Sequence, residues 1–258
     1  MKIATWNVNS ARQRAGHLAR FLKDETPDVV CLQEIKCVDE AFPFEEVEAA
    51  GYNAAVHGQK GFNGVAILSK APLESVRGLP GDPLDAQARY IEAVVPHDGG
   101  AVRIASLYLP NGNPPGTDKY AYKLAWMDRL IAHARALLTL EEPLVLAGDY
   151  NVIPADEDCY DPALWVQDAL GLPQTRERFR ALVNLGFVDA LRATSDEPGV
   201  YTFWDYQAGA WQRDKGLRID HALLSPQAAD RLVAARVDRA RRGEDKPSDH
   251  APLIVELR

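Results

Sequence analysis

The sequence is poor in the features that build secreted, membrane-spanning or zinc-clustered proteins. Its 258 residues include three cysteines, Cys31, Cys37 and Cys159, too few and too scattered for a disulfide framework or a zinc site. An odd number of reduced thiols fits the cytosol. No apolar run approaches the roughly 18 residues that a membrane helix needs. The opening Met1-Lys2-Ile3-Ala4-Thr5-Trp6-Asn7 carries one lysine and no signal-peptide core. The expectation is a cytoplasmic chain without a membrane partner.

Excess positive charge is also missing. Against 37 Asp and Glu stand 29 Lys and Arg, a net charge of −8 at pH 7. Proteins that bind nucleic acid usually show a basic footprint, so the average charge speaks against such a partner and for a solvated, mixed surface. Locally, however, basic residues flank the polar motifs: Arg12 and Arg14, Lys36, Lys119 and Lys123, Arg213 and Lys215, then Arg241, Arg242 and Lys246.

What is present is the balance of a globular protein, with 47% hydrophobic and 26% charged residues. Short β-rich runs recur at Lys2–Val8, Asp28–Gln33, Val65–Ser69, Arg89–Val95 and Val102–Leu109. Others follow at Leu144–Ala147, Tyr201–Trp204, Ile219–Leu224 and Pro252–Leu257, with Gly, Pro and Asn between them. Helical spacing is rarer. Leu18, Phe21 and Leu22 share a face between Arg12 and Glu25. From Thr117 to just before Glu141, Tyr120, Leu124, Met127, Leu130, Ile131, Ala134 and Leu138 follow amphipathic spacing, and Arg176–Leu185 predicts a third helix closed by Gly186. Many strands with few helices predict two packed sheets under helical outer layers. No linker divides the chain, so one domain over residues 1–258 is expected.

Asn7, Glu34, Asp149, Asn151, Asp220, Asp249 and His250 each follow, or nearly follow, a predicted buried strand. Singly they have plain explanations. Asp149 and Asn151 fit an Asx-turn after Gly148, Glu34 a surface ion pair, and His250 an exposed loop. Seven such positions at strand ends are harder to explain by packing, because rigid strand ends are where sites are built. Their chemistry is coherent. Hard oxygen donors without paired histidines or thiolates select Mg²⁺ or Mn²⁺. Phosphodiester hydrolysis needs a metal, a base for water, and donors for the negative transition state. Glu34 supplies the first, Asp149 the second, and His250 with Asn7 and Tyr108 the third. Asp220 or Asp249 would hold the histidine ring in its tautomer and favour its protonated form.

Seven segments in order carry a resemblance over essentially the whole chain. They are Thr5-Trp6-Asn7-Val8-Asn9, Leu32-Gln33-Glu34-Ile35-Lys36, Gly58–Ala66, Tyr108-Leu109-Pro110-Asn111-Gly112, Leu146–Asn151, Gly216–His221 and Lys246–Pro252. In these the chain resembles the exonuclease III family of DNA-repair nucleases, within the endonuclease/exonuclease/phosphatase superfamily. The resemblance implies a four-layer α/β/β/α sandwich: two mixed sheets packed face to face, helices outside, and the site at one edge.

It also implies roles. Glu34 would be the principal Mg²⁺ ligand, with Mn²⁺ able to substitute, helped by Asn7 or Asn9 and by Asp249. Asp149 would deprotonate the attacking water and Asn151 orient it; Tyr108 and His250 are rival candidates for the base. Tyr108 and Asn111 would contact the scissile phosphate, His250 would stabilise its developing charge, and Asp220 would fix the His250 ring. The implied partner is double-stranded DNA, damaged or with 3′ ends, cut on the 5′ side of abasic sites or trimmed from the 3′ end by a monomer. Phe203, Trp204 and Leu217 would wall a small apolar pocket that excludes an intact base. Arg12, Arg14, Lys60, Lys119, Lys123, Arg213 and Lys215 would straddle the duplex backbone. Ser10 stands where many relatives carry glycine. Two other readings compete: a lipid- or RNA-directed hydrolase of the same superfamily, and a DNA-binding protein without activity.

Overall fold

A computed structural model describes residues 1–97 and 100–258. In chain order its strands are β1 (Lys2–Asn7), β2 (Val29–Gln33), β3 (Asn53–His57), β4 (Val65–Ser69), β5 (Glu74–Arg77) and β6 (Tyr90–His97). The second six are β7 (Gly100–Tyr108), β8 (Leu144–Asp149), β9 (Val188–Asp189), β10 (Asp220–Leu224), β11 (Leu232–Val237) and β12 (Leu253–Leu257). The helices are α1 (Ala15–Glu25), α2 (Phe44–Ala49), α3 (Asp118–Leu138), α4 (Pro173–Val183), α5 (Ala190–Thr194) and α6 (Pro226–Ala229). One sheet runs β11-β12-β1-β2-β4-β3 and the other β5-β6-β7-β8-β10-β9, six strands each.

Alternation along the strands assigns each residue to a layer. Ile3, Val29, Cys31, Val65 and Ile67 face inward and meet Ile91, Ala93, Ile104, Val145 and Ala147 of the second sheet. Their neighbours Ala4, Trp6, Val30, Leu32, Ala66 and Leu68 face outward onto Leu18, Phe21 and Leu22 of α1 and Val47 of α2. On the far side Ala105, Leu107, Leu144 and Leu146 meet Trp126, Met127 and Leu130 of α3 and Phe179 and Leu182 of α4. A strand buried on both faces reads as a continuous apolar run, which is why the central strands stand out in the sequence. The expected four-layer sandwich is the observed one.

Register gathers the strand ends. β1 and β2 are parallel with Asn7 opposite Gln33, and β7 and β8 are parallel with Tyr108 opposite Asp149. β10 runs antiparallel to β8 and starts with Asp220 opposite Asp149. β12 runs antiparallel to β1, so the turn before it, with His250, lies beyond the end of β1. Among the described residues no helix is long and apolar enough to cross a membrane.

Three expectations are corrected. Tyr201–Trp204 is not a strand; Phe203 makes only isolated bridges, to Leu217 and to His250. The third long helix is Pro173–Val183, beginning earlier because Pro173 occupies its first turn, where a missing N–H is harmless. Strands β3, β5, β9 and β11 were not expected, and β5 is exposed at all four residues.

Candidate active site

The gathered strand ends surround a cavity of about 300 Å³. One wall is polar, with Glu34, Tyr108, Asn111, Asp149, Asn151, Asp249 and His250. The other is largely apolar, with Phe203, Leu217, Ile219, Leu170 and Trp165.

Asn7 ends β1 fully buried, and its Nδ2 donates to both acids, to Glu34 Oε1 at 2.8 Å and to Asp149 Oδ2 at 3.0 Å. Its Oδ1 accepts the Asn9 N–H at 3.0 Å, which fixes the amide that way round. Asn7 was expected as a donor and, or else Asn9, as a helper at the metal; its Nδ2 is shared by two carboxylates. Asp249 accepts from Asn9 Nδ2 at 3.0 Å. Glu34 follows β2 in the left-handed region (φ 50), held there because Ile35 and Lys36 donate backbone N–H groups to Gly64 and Asn63. Such backbone in a non-glycine residue costs about 1 kcal/mol and is typical of functional sites.

Asp149 ends β8. Its Oδ1 accepts the Asn151 N–H at 2.9 Å. Asn151 (φ 48) donates Nδ2 to Leu109 O at 2.9 Å, and its Oδ1 accepts from Asn111 Nδ2 at 3.1 Å. Across the cavity, His250 Nδ1 lies 2.8 Å from Asp220 Oδ2, and Nε2 lies 3.7 Å from Asp149 Oδ2. Trp6 Nε1 and the Ser248 hydroxyl anchor this turn, donating to His250 O at 3.1 Å and Asn7 O at 2.6 Å.

The electrostatics follow from burial. Desolvation pushes Asp149 up to about 7 although the His250 charge opposes it. Burial alone would lower His250, but the charges of Asp220 and then Asp149 outweigh it and lift the imidazole to about 10. Burial, with the charges of Glu34 and Asp149, holds the Tyr108 hydroxyl well above its ordinary range. Glu34 is drawn below the carboxylate range: its burial opposes this, but Lys36 and the Asn7 hydrogen bond prevail.

One donor atom each from Glu34, Asp149 and His250 lies within 4.8 Å of the others. The histidine is the least suited of the three, because its Nδ1 is engaged by Asp220 and hard cations prefer oxygen. What remains is carboxylate oxygen, which fits a hard divalent cation. Lys36 Nζ, 2.8 Å from Glu34 Oε2, already places positive charge there.

Of the expected pocket residues, Phe203 and Leu217 line the cavity and Trp204 does not. Trp204 is fully buried, with Nε1 on Asp214 at 3.0 Å and its ring edge-on to Trp211. Arg12, Lys60 and Lys119 are exposed and make no ion pair among the described residues. Lys123, expected on the DNA-facing surface, is instead completely buried. Sequence reasoning missed Trp165, Leu170 and Ile219. Ile219 had a signal, since it sits two residues from Leu217 and so on the same side; Trp165 and Leu170 lie in irregular chain that carries none.

A cavity where buried carboxylates, a facing histidine and oxygen donors that fit a hard cation converge is the kind of site a hydrolytic enzyme uses. The chain belongs to the Endonuclease/Exonuclease/phosphatase family, whose model matches residues 4–250. It is 33% identical over 270 residues to an exodeoxyribonuclease III of Haemophilus influenzae, covering 100% of both chains. Among solved structures it is similar to the 3′ phosphatase NExo from Neisseria bound to a product DNA hairpin. That match has TM-score 0.96, 40% identity, 100% of this chain and 99% of the other. It is also similar to an AP endonuclease from Archaeoglobus fulgidus, with TM-score 0.94, 36% identity and the same coverage.

Proposed function

We propose that this chain, a hydrolytic nuclease of that family, cleaves the backbone of damaged double-stranded DNA with Mg²⁺. It would act 5′ to abasic sites and at 3′ ends. The observation that carries this reading is the single cavity in which Asp149 stands between Asn7 and His250 opposite the wall of Phe203, Leu217 and Ile219. The apolar wall of Phe203, Leu217 and Ile219 suits a sugar stripped of its base. The names of the relatives point the same way.

Glu34 is the residue that would hold the cation, with Asp149 beside it. The bound ion would polarise a phosphoryl oxygen. Asp149 takes the proton of the attacking water; burial raises the affinity of its carboxylate for that proton. Its rivals are less suited, because burial and the nearby acids raise the Tyr108 hydroxyl and the charges of Asp220 and Asp149 raise His250, favouring the protonated form of each. His250 then donates from Nε2 to the phosphoryl oxygen as negative charge grows, with Asp220 fixing the ring. On the opposite side Asn111 contacts the phosphate, and Asn151, its Nδ2 held by Leu109 O, orients the water. Arg12, Lys60 and Lys119 hold the duplex without reading its sequence.

The test compares purified protein on abasic, 3′-phosphate and undamaged duplex and on RNA, with and without Mg²⁺. Metal-dependent cleavage of the abasic or 3′-blocked duplex is expected, lowered about 1,000-fold in Asp149→Asn with duplex binding kept. Preference for RNA, or full turnover in that variant, refutes the reading.

A further inference from the structure

Lys123 sits in the first half of α3, its side chain wholly buried. It makes no ion pair with any described carboxylate. Nζ donates instead to two backbone carbonyls, Asn151 O at 2.6 Å and Asn111 O at 3.1 Å. A buried ammonium without a counter-ion is costly, and helix packing does not require one here. Trp126, Met127 and Leu130 of the same helix are ordinary apolar core. Desolvation lowers the Lys123 pKa to about 7 against the opposing charges of Asp149 and Asp168, a measure of that cost.

The two carbonyls belong to the two residues whose side-chain amides line the cavity and bond each other, Asn111 Nδ2 to Asn151 Oδ1 at 3.1 Å. Asn111 lies on the chain leaving β7 and Asn151 on the chain leaving β8. One nitrogen therefore fastens both exits, and through the Asn151 N–H it bears on Asp149 Oδ1. The chain is shaped to admit the side chain. Gly112 has φ +86, and a Cβ there would fall 2.5 Å from Lys123 Cδ, so the loop closes over the lysine only with glycine at that position.

We propose that Lys123 is a positioning residue for phosphodiester hydrolysis, its ammonium clamping the Asn111 and Asn151 backbones so that their amides and the Asp149 carboxylate keep reactive geometry. This rests on the function proposed above. The lysine touches neither water nor phosphate; it acts through the two residues it holds. Misplacement of reacting groups by about 1 Å lowers rates about 100-fold, which sets the expected effect.

The test is Lys123→Met, which keeps the apolar stem and loses the charge and donors, followed by steady-state cleavage of a Mg²⁺-dependent substrate and by NMR of the asparagine side-chain amides. The expected result is a kcat lower by about 100-fold, with KM within about threefold. The Asn111 and Asn151 NH₂ resonances should shift while core methyl resonances of Leu146 and Leu223 stay in place. A kcat within about threefold of the parent, or activity lost only in proportion to unfolded protein with both amide resonances unmoved, overturns the proposal. If Lys123→Met does not fold, Lys123→Arg gives the same two readouts, since a guanidinium keeps the charge but cannot put one nitrogen on both carbonyls. If the parent protein cleaves no DNA substrate, the functional reading fails, and the NMR arm still decides whether Lys123 holds the two amides.

Discussion

His250 Nδ1 and Asp220 Oδ2, 2.8 Å apart, join the two sheets at the catalytic end. Asp220 opens β10 in one sheet, and His250 lies in the turn before β12 in the other. Both are buried, and among the described residues Asp220 Oδ1 has no hydrogen-bond partner. The pair sets where the ring points and favours its protonated form.

Asp220→Asn preserves shape and removes the charge that contributes most to holding the His250 proton. The ring should then titrate well below about 10, and cleavage at pH 7.5 should fall about 100- to 1,000-fold. NMR titration of the His250 ring together with single-turnover cleavage checks both. A ring that keeps its proton in the variant would separate catalysis from this ion pair.

Gly148 of β8 pairs with Leu107 of β7. A Cβ there would stand 2.0 Å from Leu107 O and 2.8 Å from Leu107 C, both backbone atoms that cannot step aside. Gly148→Ala should force the strands apart at a cost of about 3 kcal/mol, which for a chain of this size lowers Tm by roughly 6–12 °C. Tyr108 and Asp149 are the next pair along the register, so the folded fraction should also lose activity. A thermal melt within two degrees or so of the parent would show that the sheet absorbs the methyl elsewhere.

His221 offers a pH prediction away from the cavity. Its Nε2 faces Val152 O at 3.1 Å and its Nδ1 faces Arg218 at 3.0 Å, so the ring is satisfied as the neutral Nε2–H tautomer. Burial first, and Arg218 second, lower its pKa to about 4 from an ordinary 6.5. Between those values the unfolded chain binds the proton and the folded chain does not, so stability falls as pH drops from about 6.5 to about 4. The loss from this group is about 3 kcal/mol. Asp158 and Asp189, held below the carboxylate range against their burial by Arg218, lose their contribution only at more acid pH. Urea unfolding at pH 7, 5.5 and 4.5 should show the slope, and His221→Gln should flatten it; an unchanged profile in the variant would assign the slope to other groups.

Much of the fold is legible because the central strands bury both faces. Val29–Gln33 and Leu144–Asp149 are continuous apolar runs ending in polar residues, the pattern of a strand buried on both faces. Edge strands lack that signal: Glu74–Arg77 is exposed throughout and pairs on one side only. Trp204 was placed on the pocket wall beside Phe203, yet neighbours in extended chain point opposite ways, and one wall takes only one of them. Lys123 was read as surface because it is a lysine. Its spacing said otherwise, three residues after Tyr120 and four before Met127, on the buried face of the helix.

The remaining cations near the site make the last prediction. Arg12 follows the end of β1, Lys60 lies in the turn between β3 and β4, and Lys119 opens α3 after β7. Since His57 and Gln33 both pair with Val65, the Lys60 turn sits at the same end of the sheet as Glu34. All three are exposed and make no ion pair among the described residues. A chain of net charge −8 thus presents these three unpaired cations at the cavity end, where a duplex would release counter-ions on binding. Binding of an abasic duplex should therefore weaken steeply with salt, and each residue that neutralises one phosphate should contribute about 0.9 to the slope of log K against log salt. Replacing all three by alanine should lower that slope by up to about 2.7 while leaving kcat at saturating DNA within about threefold, because these side chains position DNA and touch no reacting atom. Fluorescence anisotropy from 50 to 200 mM salt reads the slope directly. Equal slopes in parent and variant would remove these three residues from the interface, and a collapse of kcat would move them into the chemistry.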